Sequence, residues 1–286
     1  MSGSCPVCER EKSKFVFNVK GWEIRECLSC GAGFLGDGPE LAPDYEGDYL
    51  NQKQGEGDLR GYFDYEAELE LHIANYKDNL KILASEGASG RLLDVGCASG
   101  HFLVAAGNAG FDATGVDVSE AAIEQARGRG LTAYAGDVMT LPLKGPFDVI
   151  TLWETIEHVP DPVPFLAHLR SLLAPGGLLV IGTGDDWSPV ARLFGKRWWY
   201  LTPPDHCIYY NQVALATALR RGGYGLPHFH RIWRHRTSAR NVAMKLMRAF
   251  DVAPGRALKL AAAVPNAPLS ILHGTTLVAV GRPNPS

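Results

Sequence analysis

From residue 66 onward the apolar positions of the chain change period repeatedly, and each change marks an element. Over residues 66–86, Leu69, Ile73, Tyr76, Leu80 and Leu83 recur at spacings of three and four, the repeat of a helix with one buried face. Residues 91–95 are instead a short apolar run ending at Gly96, followed by a helical stretch over 101–109 that Gly110 closes. The alternation then continues through strands at 113–118, 132–135, 147–153 and 178–182 and helices at 120–129 and 163–173, with Pro175-Gly176-Gly177 as a turn. Short apolar runs alternating with helices of this length predict a parallel sheet covered on both faces. Beyond it come a helix at 211–221 and strands near 229–234 and 275–280. Two basic, apolar segments between those strands, 238–250 and 257–263, read as helices; Val242, Leu246 and Phe250 repeat every four residues, with Arg240, Met244 and Arg248 on other faces. The pattern predicts an α/β fold with a doubly wound, mostly parallel sheet over 66–286, a helical insertion near 237–274 and no internal repeat.

Ahead of this region stands a front module, residues 1–36, and a polar, glycine-rich, acidic connector over 37–65. Phe15 to Val19 and Trp22 to Arg25 alternate and break at Lys20-Gly21, the signal of a β-hairpin. The hairpin is flanked by Cys5-x-x-Cys8 and Cys27-x-x-Cys30, with 18 residues between the pairs. Thiolates two residues apart reach one metal from a tight turn, and two such turns complete a tetrahedral structural zinc site. So small a segment buries little, and metal binding would supply its folding free energy. Two local redox pairs are the competing reading; a catalytic zinc is disfavoured because four thiolates leave no open coordination position. Cys97 and Cys207 stand apart and read as core or pocket-lining residues.

The 286 residues suit one large domain with a small appendage. Apolar residues at 46% and charged residues at 21% exclude a disordered, collagen-like or disulfide-dense chain. Lys plus Arg at 28 against Asp plus Glu at 31 creates no field that draws in a polyanion, so nucleic acid is not an expected partner. The apolar stretch 260–272 is interrupted by Pro265 and Pro268 and falls short of the ~20 residues of a membrane-spanning helix. No apolar leader follows Met1, and a cytoplasmic location is expected.

The turn after the first strand of the alternating region carries the chemistry. In Leu93-Asp94-Val95-Gly96-Cys97-Ala98-Ser99-Gly100, glycines at a strand end let a ligand approach the backbone, and the next helix offers N–H groups at its start. A dinucleotide site asks for three glycines as G-x-G-x-x-G; here Ala98 holds the middle place, and no third glycine follows in register. Asp94, so close to the turn, would repel a pyrophosphate yet can receive the ammonium of an amino-acid moiety. That favours S-adenosylmethionine over a nicotinamide dinucleotide. Asp117, 21 residues beyond Gly96 at the next strand end, is placed for two ribose hydroxyls, and Asp137 for an adenine amino group. Helix capping and loop solvation are the competing reading of these two aspartates.

The chain here resembles the class I S-adenosylmethionine-dependent methyltransferases, in particular their bacterial branch of mostly small-molecule enzymes. The resemblance is carried by LLDVGCASGHFL (92–103), GVDVSE (115–120), GDVMTLPL (136–143), FDVITLWETIEHVPDP (147–162), LLAPGGLLVIGT (172–183) and SPVARLFGKRWWYLTPPDHCIYY (188–210), and it covers roughly residues 60–235. It implies a seven-stranded Rossmann-like sheet whose last strand is antiparallel. By position, Asp94, Gly96, Cys97 and Gly100 would line the methionine part of the cofactor, Asp117 and Val118 the ribose and adenine edge, and Asp137 with Val138 the adenine. Trp153 would stand near the sulfonium, where an aromatic face stabilises a cation. Tyr62 and Tyr65 resemble the family's lid aromatics. The front module resembles that of some sugar-modifying methyltransferases, which are longer than this chain.

Methyl transfer needs an aligned nucleophile and, for a hydroxyl, amine or acidic C–H acceptor, removal of a proton. His206, in Pro203-Pro204-Asp205-His206 after the fifth strand, is the first candidate base, with a loop-fixing role as its alternative. Asp205 and Tyr209 would orient it or contact substrate. Glu154 is the second candidate on the substrate side, and His158 reads as structural. The resemblance thus implies methyl transfer to an O, N or C nucleophile of a small molecule: a specialised metabolite, sugar or lipid-like acceptor. A zinc-ribbon RNA base methyltransferase and a catalytically silent zinc-containing binding protein are the alternatives. Against the first stand the nearly balanced charges of the front module and Leu152-Trp153-Glu154-Thr155 in place of an Asn-Pro-Pro-Tyr motif; against the second stand Asp94 and Asp117. The helical insertion offers a homodimer contact or a cover for a hydrophobic acceptor.

Overall fold

The computed structural model describes residues 4–38, 69–250 and 252–284. Tyr62, Tyr65 and most of the connector lie outside the described residues. In chain order the elements are β1 (Ser13–Val19), β2 (Trp22–Cys27), β3 (Gly33–Leu35), α1 (Leu69–Ser85), β4 (Arg91–Val95), α2 (His101–Asn108), β5 (Asp112–Asp117), α3 (Glu120–Gly128), β6 (Thr132–Ala135) and β7 (Phe147–Trp153). They continue with α4 (Pro162–Leu172), β8 (Leu173–Gly184), α5 (Pro189–Phe194), β9 (Ile208–Tyr209), α6 (Gln212–Arg221), β10 (His228–Ser238), α7 (Ala239–Ala249), α8 (Pro254–Ala262) and β11 (Pro268–Gly281).

Seven strands form one sheet in the order β10-β11-β8-β7-β4-β5-β6. β4 to β8 run parallel, and β11, the last strand, lies antiparallel to both β8 and β10. The continuous apolar runs have a plain cause: successive residues serve opposite faces, and both faces are covered. Leu92, Val149, Val180 and Val278 pack with Leu83 and Phe102 on one side, whereas Leu93, Ile150, Ile181 and Leu277 pack with Leu166, Leu169 and Leu215 on the other.

Two features depart from the sequence-based expectation. The β10–β11 hairpin is longer than its apolar pattern: β11 pairs with β8 only through Thr276–Gly281, while Pro268 to Leu272 pair with β10 alone. A half-solvated extension carries no continuous apolar run to read. In the insertion, α7 packs on α8 through Met244, buried with Ala257 and Ala261, whereas Leu246 and Phe250 are 44% and 65% exposed. The every-fourth-residue stripe therefore faces outward, with the Arg197 guanidinium over the Phe250 ring.

The front module is not a free appendage. Its sheet has the order β1-β2-β3-β9, and its fourth strand comes from far along the chain: Gly33 pairs with Tyr209 and Phe34 with Ile208. Cys5, Cys27, Cys30 and Phe34 belong to the same buried cluster as Leu93 and Ile150. Arg221 of α6 donates to the Val7 carbonyl at 2.8 Å and pairs with Glu9 at 2.6 Å. Asn211, at the start of α6, donates to the Gly31 carbonyl at 2.6 Å. A two-residue strand has no periodicity, and so this join left no mark in the pattern.

Because Phe34 is only 3% exposed and sits at that join, Phe34→Ala should cost about 3–5 kcal/mol in one cooperative transition. Denaturant unfolding followed by far-UV circular dichroism checks this. Two separable transitions with the main one unmoved would show that the module folds independently.

Candidate active site

The strand order reverses beside β4, with β5 and β6 on one side and β7 and β8 on the other. In open α/β sheets ligands bind outside the carboxyl ends of the strands at such a reversal. The turn from β4 into α2 lies there. Gly96 has φ +78°, and a Cβ on it would stand 2.4 Å from Thr155 Oγ1; Gly100 has φ +82°, and its Cβ would meet a Leu131 methyl at 2.5 Å. Both glycines are thus required by the protein itself, and they also leave the backbone open. Ala98 holds φ +46° without being glycine, a strain of roughly 1–2 kcal/mol that survives only where neighbours enforce it. Asp117 does so: Ala98 N–H donates to its Oδ2 and Ser119 N–H to its Oδ1, both at 2.9 Å. No side chain caps α2 at Gly100, an arrangement that suits a ligand anion.

Asp94 is 2% exposed at the end of β4 and accepts a hydrogen bond from Thr151 Oγ1 at 2.7 Å. Burial, aided by the charge of Asp117 and opposed by Thr151, pushes its carboxyl up to about 7. Burial also raises Asp117, against the backbone N–H groups of Ser119, Ala98 and Val118. Two such carboxyls beside one open turn form a site that a ligand's ammonium would relieve.

The other expected cofactor contacts take varied places. Val118 is 58% exposed beside Asp117, whereas Val138 is buried in the core and its carbonyl accepts from His168 Nε2 at 3.0 Å. Asp137, an exposed residue, accepts the Met139 N–H at 2.9 Å on one oxygen, a local turn bond. The Cys97 side chain packs with Leu103 and Ile123, and burial pushes its thiol above the usual range. Trp153 packs edge-on against Phe102 at 5.5 Å and against Gly182. Its Nε1 is a buried donor that finds no acceptor among the described residues.

Past β7, a second cluster assembles around Glu157, which is fully buried in the short turn Ile156–His158. Thr183 Oγ1 of β8 donates to one of its oxygens at 2.8 Å and the Tyr200 hydroxyl donates to the other. The same Tyr200 oxygen accepts the Gly184 N–H at 2.9 Å. Glu154, with φ +53°, is accessible yet ringed by protein; it reaches Tyr200 and Glu157, with Lys245 of α7 nearby. Desolvation and the Glu157 charge hold its carboxyl well above the usual range.

His206 is half-buried, its ring 4.6 Å from His158 and 4.3 Å from Tyr200. His206 Nδ1 lies 2.8 Å from the Tyr200 carbonyl and His158 Nδ1 lies 2.8 Å from the Asp205 carbonyl. A carbonyl only accepts, so in each ring Nδ1 carries the proton and Nε2 keeps the lone pair. Burial and then the neighbouring His158 push His206 well below its ordinary value. Glu157, His158 and His206 bring donor atoms within 4.8 Å of one another; since both Glu157 oxygens already accept hydroxyls, the set acts as a hydrogen-bond network. Tyr209 is buried against Trp22, Ile24 and Leu35, with its ring 6.4 Å from that of His206. Sequence reasoning missed Glu157, Thr151, Thr183, Tyr200 and Lys245. The Glu154-x-x-Glu157 spacing was a usable signal, whereas Tyr200 had none.

At the front module, Cys5 Sγ lies 3.6 Å from Cys30 Sγ and Cys8 Sγ 3.5 Å from Cys27 Sγ, and all four sulfurs are within 4.8 Å of one another. These separations are far too long for disulfides, and they are close to the ~3.8 Å edge of a tetrahedron built on Zn–S bonds of about 2.3 Å. The residues present fit a zinc ion.

The comparisons with known proteins agree with this geometry. The sequence pattern of the methyltransferase domain matches residues 67–227. A ubiquinone biosynthesis O-methyltransferase of Methylococcus capsulatus is 38% identical over 132 residues, 43% of this chain and 56% of that protein. A 27-O-demethylrifamycin SV methyltransferase of Amycolatopsis mediterranei is 34% identical over 147 residues, 47% of this chain and 54% of that protein. The chain spans about half the length of these curated relatives. The crystal structure of an S-adenosylmethionine-dependent methyltransferase from Thermotoga maritima aligns with a TM-score of 0.52 at 22% identity, over 77% of this chain and 95% of that one. The chain belongs to the methyltransferase domain family and has the class I fold.

A carboxyl raised from 3.8 to about 7 by folding binds a proton in the native state that the unfolded chain has already lost. Stability therefore falls as pH rises from about 4 to about 7 and then levels off. Asp94→Asn keeps the acceptor for Thr151 and removes the buried charge, so without ligand it should be more stable than the native chain at pH ~8, by about 2–4 kcal/mol. Denaturant titrations at pH ~5 and pH ~8 check this; an Asp94→Asn variant no more stable than the native chain at pH ~8 would contradict the assigned burial cost.

Proposed function

We propose that this member of the methyltransferase domain family is an S-adenosylmethionine-dependent methyltransferase, acting on an oxygen nucleophile of a small molecule. The observation that carries this reading is the pair of buried carboxyls, Asp94 and Asp117, around an open glycine turn and an uncapped helix start. Its support for oxygen comes from the two curated relatives, one named as an O-methyltransferase and the other for a 27-O-demethyl acceptor. Neither alternative gains support: two of the front module's cations pair with its own carboxylates, Lys14 with Glu26 and Arg25 with Glu23, its charges are nearly balanced, and both candidate cofactor carboxyls are in place.

Bound S-adenosylmethionine would supply an electrophilic methyl group, and the chain's own residues do the rest. Asp94 receives the ammonium of the methionine part, with Gly96, Cys97 and Gly100 along it. Asp117 has one further lone pair on each oxygen for the ribose hydroxyls. Val118 covers the adenine, and Asp137 offers its other oxygen to the adenine edge, with Val138 contributing backbone only. Trp153 offers its unpaired N–H and ring face. Proton removal falls to Glu154 rather than His206. A carboxylate whose pKa is raised is a better base near neutrality, whereas a histidine whose pKa is depressed keeps its lone pair but holds a proton weakly. His206 Nε2 orients the acceptor hydroxyl.

We assign a structural zinc to Cys5, Cys8, Cys27 and Cys30, where it would hold the knuckles and, through β3, the position of β9. Such a thiolate set belongs to a reducing compartment, and we place the chain in the cytoplasm. Among the described residues no helix is long and apolar enough to cross a membrane. We place a homodimer contact on the outward Leu246, Phe250 and Leu260 of the insertion.

Incubation of the full chain with methyl-labelled S-adenosylmethionine and a panel of phenolic and alcoholic acceptors tests the reading. Label should move to oxygen, and failure with every acceptor together with absent cofactor binding would overturn it. Glu154→Gln should lower kcat about 100-fold and abolish the acid limb of the pH profile, a limb displaced upward from the usual carboxylate range; an unaltered limb would remove Glu154 as the base. Elemental analysis should find one zinc per chain, lost in Cys27→Ser; metal-free protein purified without chelator would remove the zinc assignment. Leu246→Asp with Phe250→Asp should turn dimer to monomer in sedimentation velocity, and a monomeric native chain would dismiss the contact.

A further inference from the structure

A second cluster of metal-type side chains lies at the opposite end of the large sheet. Glu86 follows the last turn of α1, and His228 and His230 open β10. Because alternate residues of a strand share a face, the His-x-His spacing sets the two imidazoles side by side, with ring centroids 4.4 Å apart. One carboxylate oxygen sits between them: Glu86 Oε1 is 2.5 Å from His228 Nδ1 and 2.7 Å from His230 Nε2. All three donor atoms lie within 4.8 Å of one another. The frame is firm on the Glu86 side, whose side chain is 11% exposed, and adjustable on the His228 side, at 68%.

We propose that Glu86, His228 and His230 form a second cation site, for a divalent first-row transition ion such as Zn²⁺, distinct from the four cysteines. Two imidazoles and one carboxylate are a donor set that such ions favour. Ligand bonds of about 2.0–2.2 Å require the three donors to move apart by less than about 1 Å, which the exposed His228 ring permits, and a water would fill the open position. The charges favour the ion as well: one carboxylate balances half of a dication, whereas two protonated imidazoles on the same oxygen would repel each other. Arg282 is the opposing charge. Its Nη2 lies 3.7 Å from Glu86 Oε2 and donates to the Glu86 carbonyl at 3.0 Å, and its Nη1 donates to the Gly176 carbonyl at 3.5 Å. It engages the oxygen that the imidazoles leave, half-exposed and able to swing away.

The site would do a particular job. At its middle, α1 is already fastened to β10 by Asn75, which exchanges two hydrogen bonds of 2.8 Å with the Arg236 backbone, and by Asp78, which pairs with the Arg236 guanidinium at 2.8 Å. An ion at Glu86, His228 and His230 would fasten the end of α1 to the start of the same edge strand.

Equilibrium dialysis of the full chain against Zn²⁺, with elemental analysis, tests this. The native chain should bind one equivalent more than Glu86→Gln or the His228→Gln, His230→Gln pair, with affinity for that equivalent falling at least about tenfold in each. Scored as a difference between native and variant, the result does not depend on whether the cysteines hold an ion. Arg282→Gln, at an exposed position, should tighten the extra equivalent severalfold, and Zn²⁺ should raise Tm by about 2–4 °C in the native chain but not in Glu86→Gln. Equal zinc content in the native chain and Glu86→Gln, or no tightening in Arg282→Gln, would overturn the site.

Discussion

Everything at the open end of the large sheet depends on how one fully buried carboxyl group, Glu157, is satisfied. An unpartnered carboxylate in that position would cost several kcal/mol, so its oxygens dictate where their donors stand. Thr183 fixes the end of β8 against the turn after β7, and the Tyr200 hydroxyl draws in the loop that follows α5. The Glu157 backbone carbonyl then accepts the Cys207 N–H at 2.9 Å, which sets the entry to β9. Tyr200 in turn offers its carbonyl to His206. Glu154 and His206, the two candidate bases, are thus held by a network centred on a side chain that itself touches no solvent.

The front module meets that network through β9. Two residues beyond His206 the chain becomes the fourth strand of the module's sheet, and the cysteine knuckles are tied to α6 by Arg221 and Asn211. A module too small to bury a core alone gains one by sharing that of the large sheet, and the loop that carries His206 gains a rigid border.

Much of the large sheet was legible because strands buried on both faces read as unbroken apolar runs and each helix between them begins or ends at a glycine or proline. The convergence of the four front-module cysteines, and the placement of Asp94, Gly96 and Asp117 around one turn, were legible because their spacing is set by local geometry, a tight turn or a strand end. What escaped depends on contacts between distant segments. β9 is too short to have a period, Tyr200 reaches Glu157 across 43 residues, and the burial of Met244 against α8 is set by the packing of two helices on each other. At Asp117 the structural reading holds, since it caps the backbone of Ala98 and Ser119, and the proposed ribose contact is compatible with it because a carboxylate oxygen has more than one lone pair.

The central claim is that a buried, proton-holding Asp94 receives the ammonium of the cofactor. Isothermal titration of the full chain with S-adenosylhomocysteine across pH ~5.5 to ~9, in buffers of different ionisation enthalpy, tests it most directly. With the carboxyl at about 7 in the unliganded chain, binding should release a proton below that pH. Affinity should rise toward neutrality and fall again only as the ligand's α-amino group loses its proton near ~8. Absent binding, or binding with no proton release and flat affinity between pH ~5.5 and ~7, would contradict it.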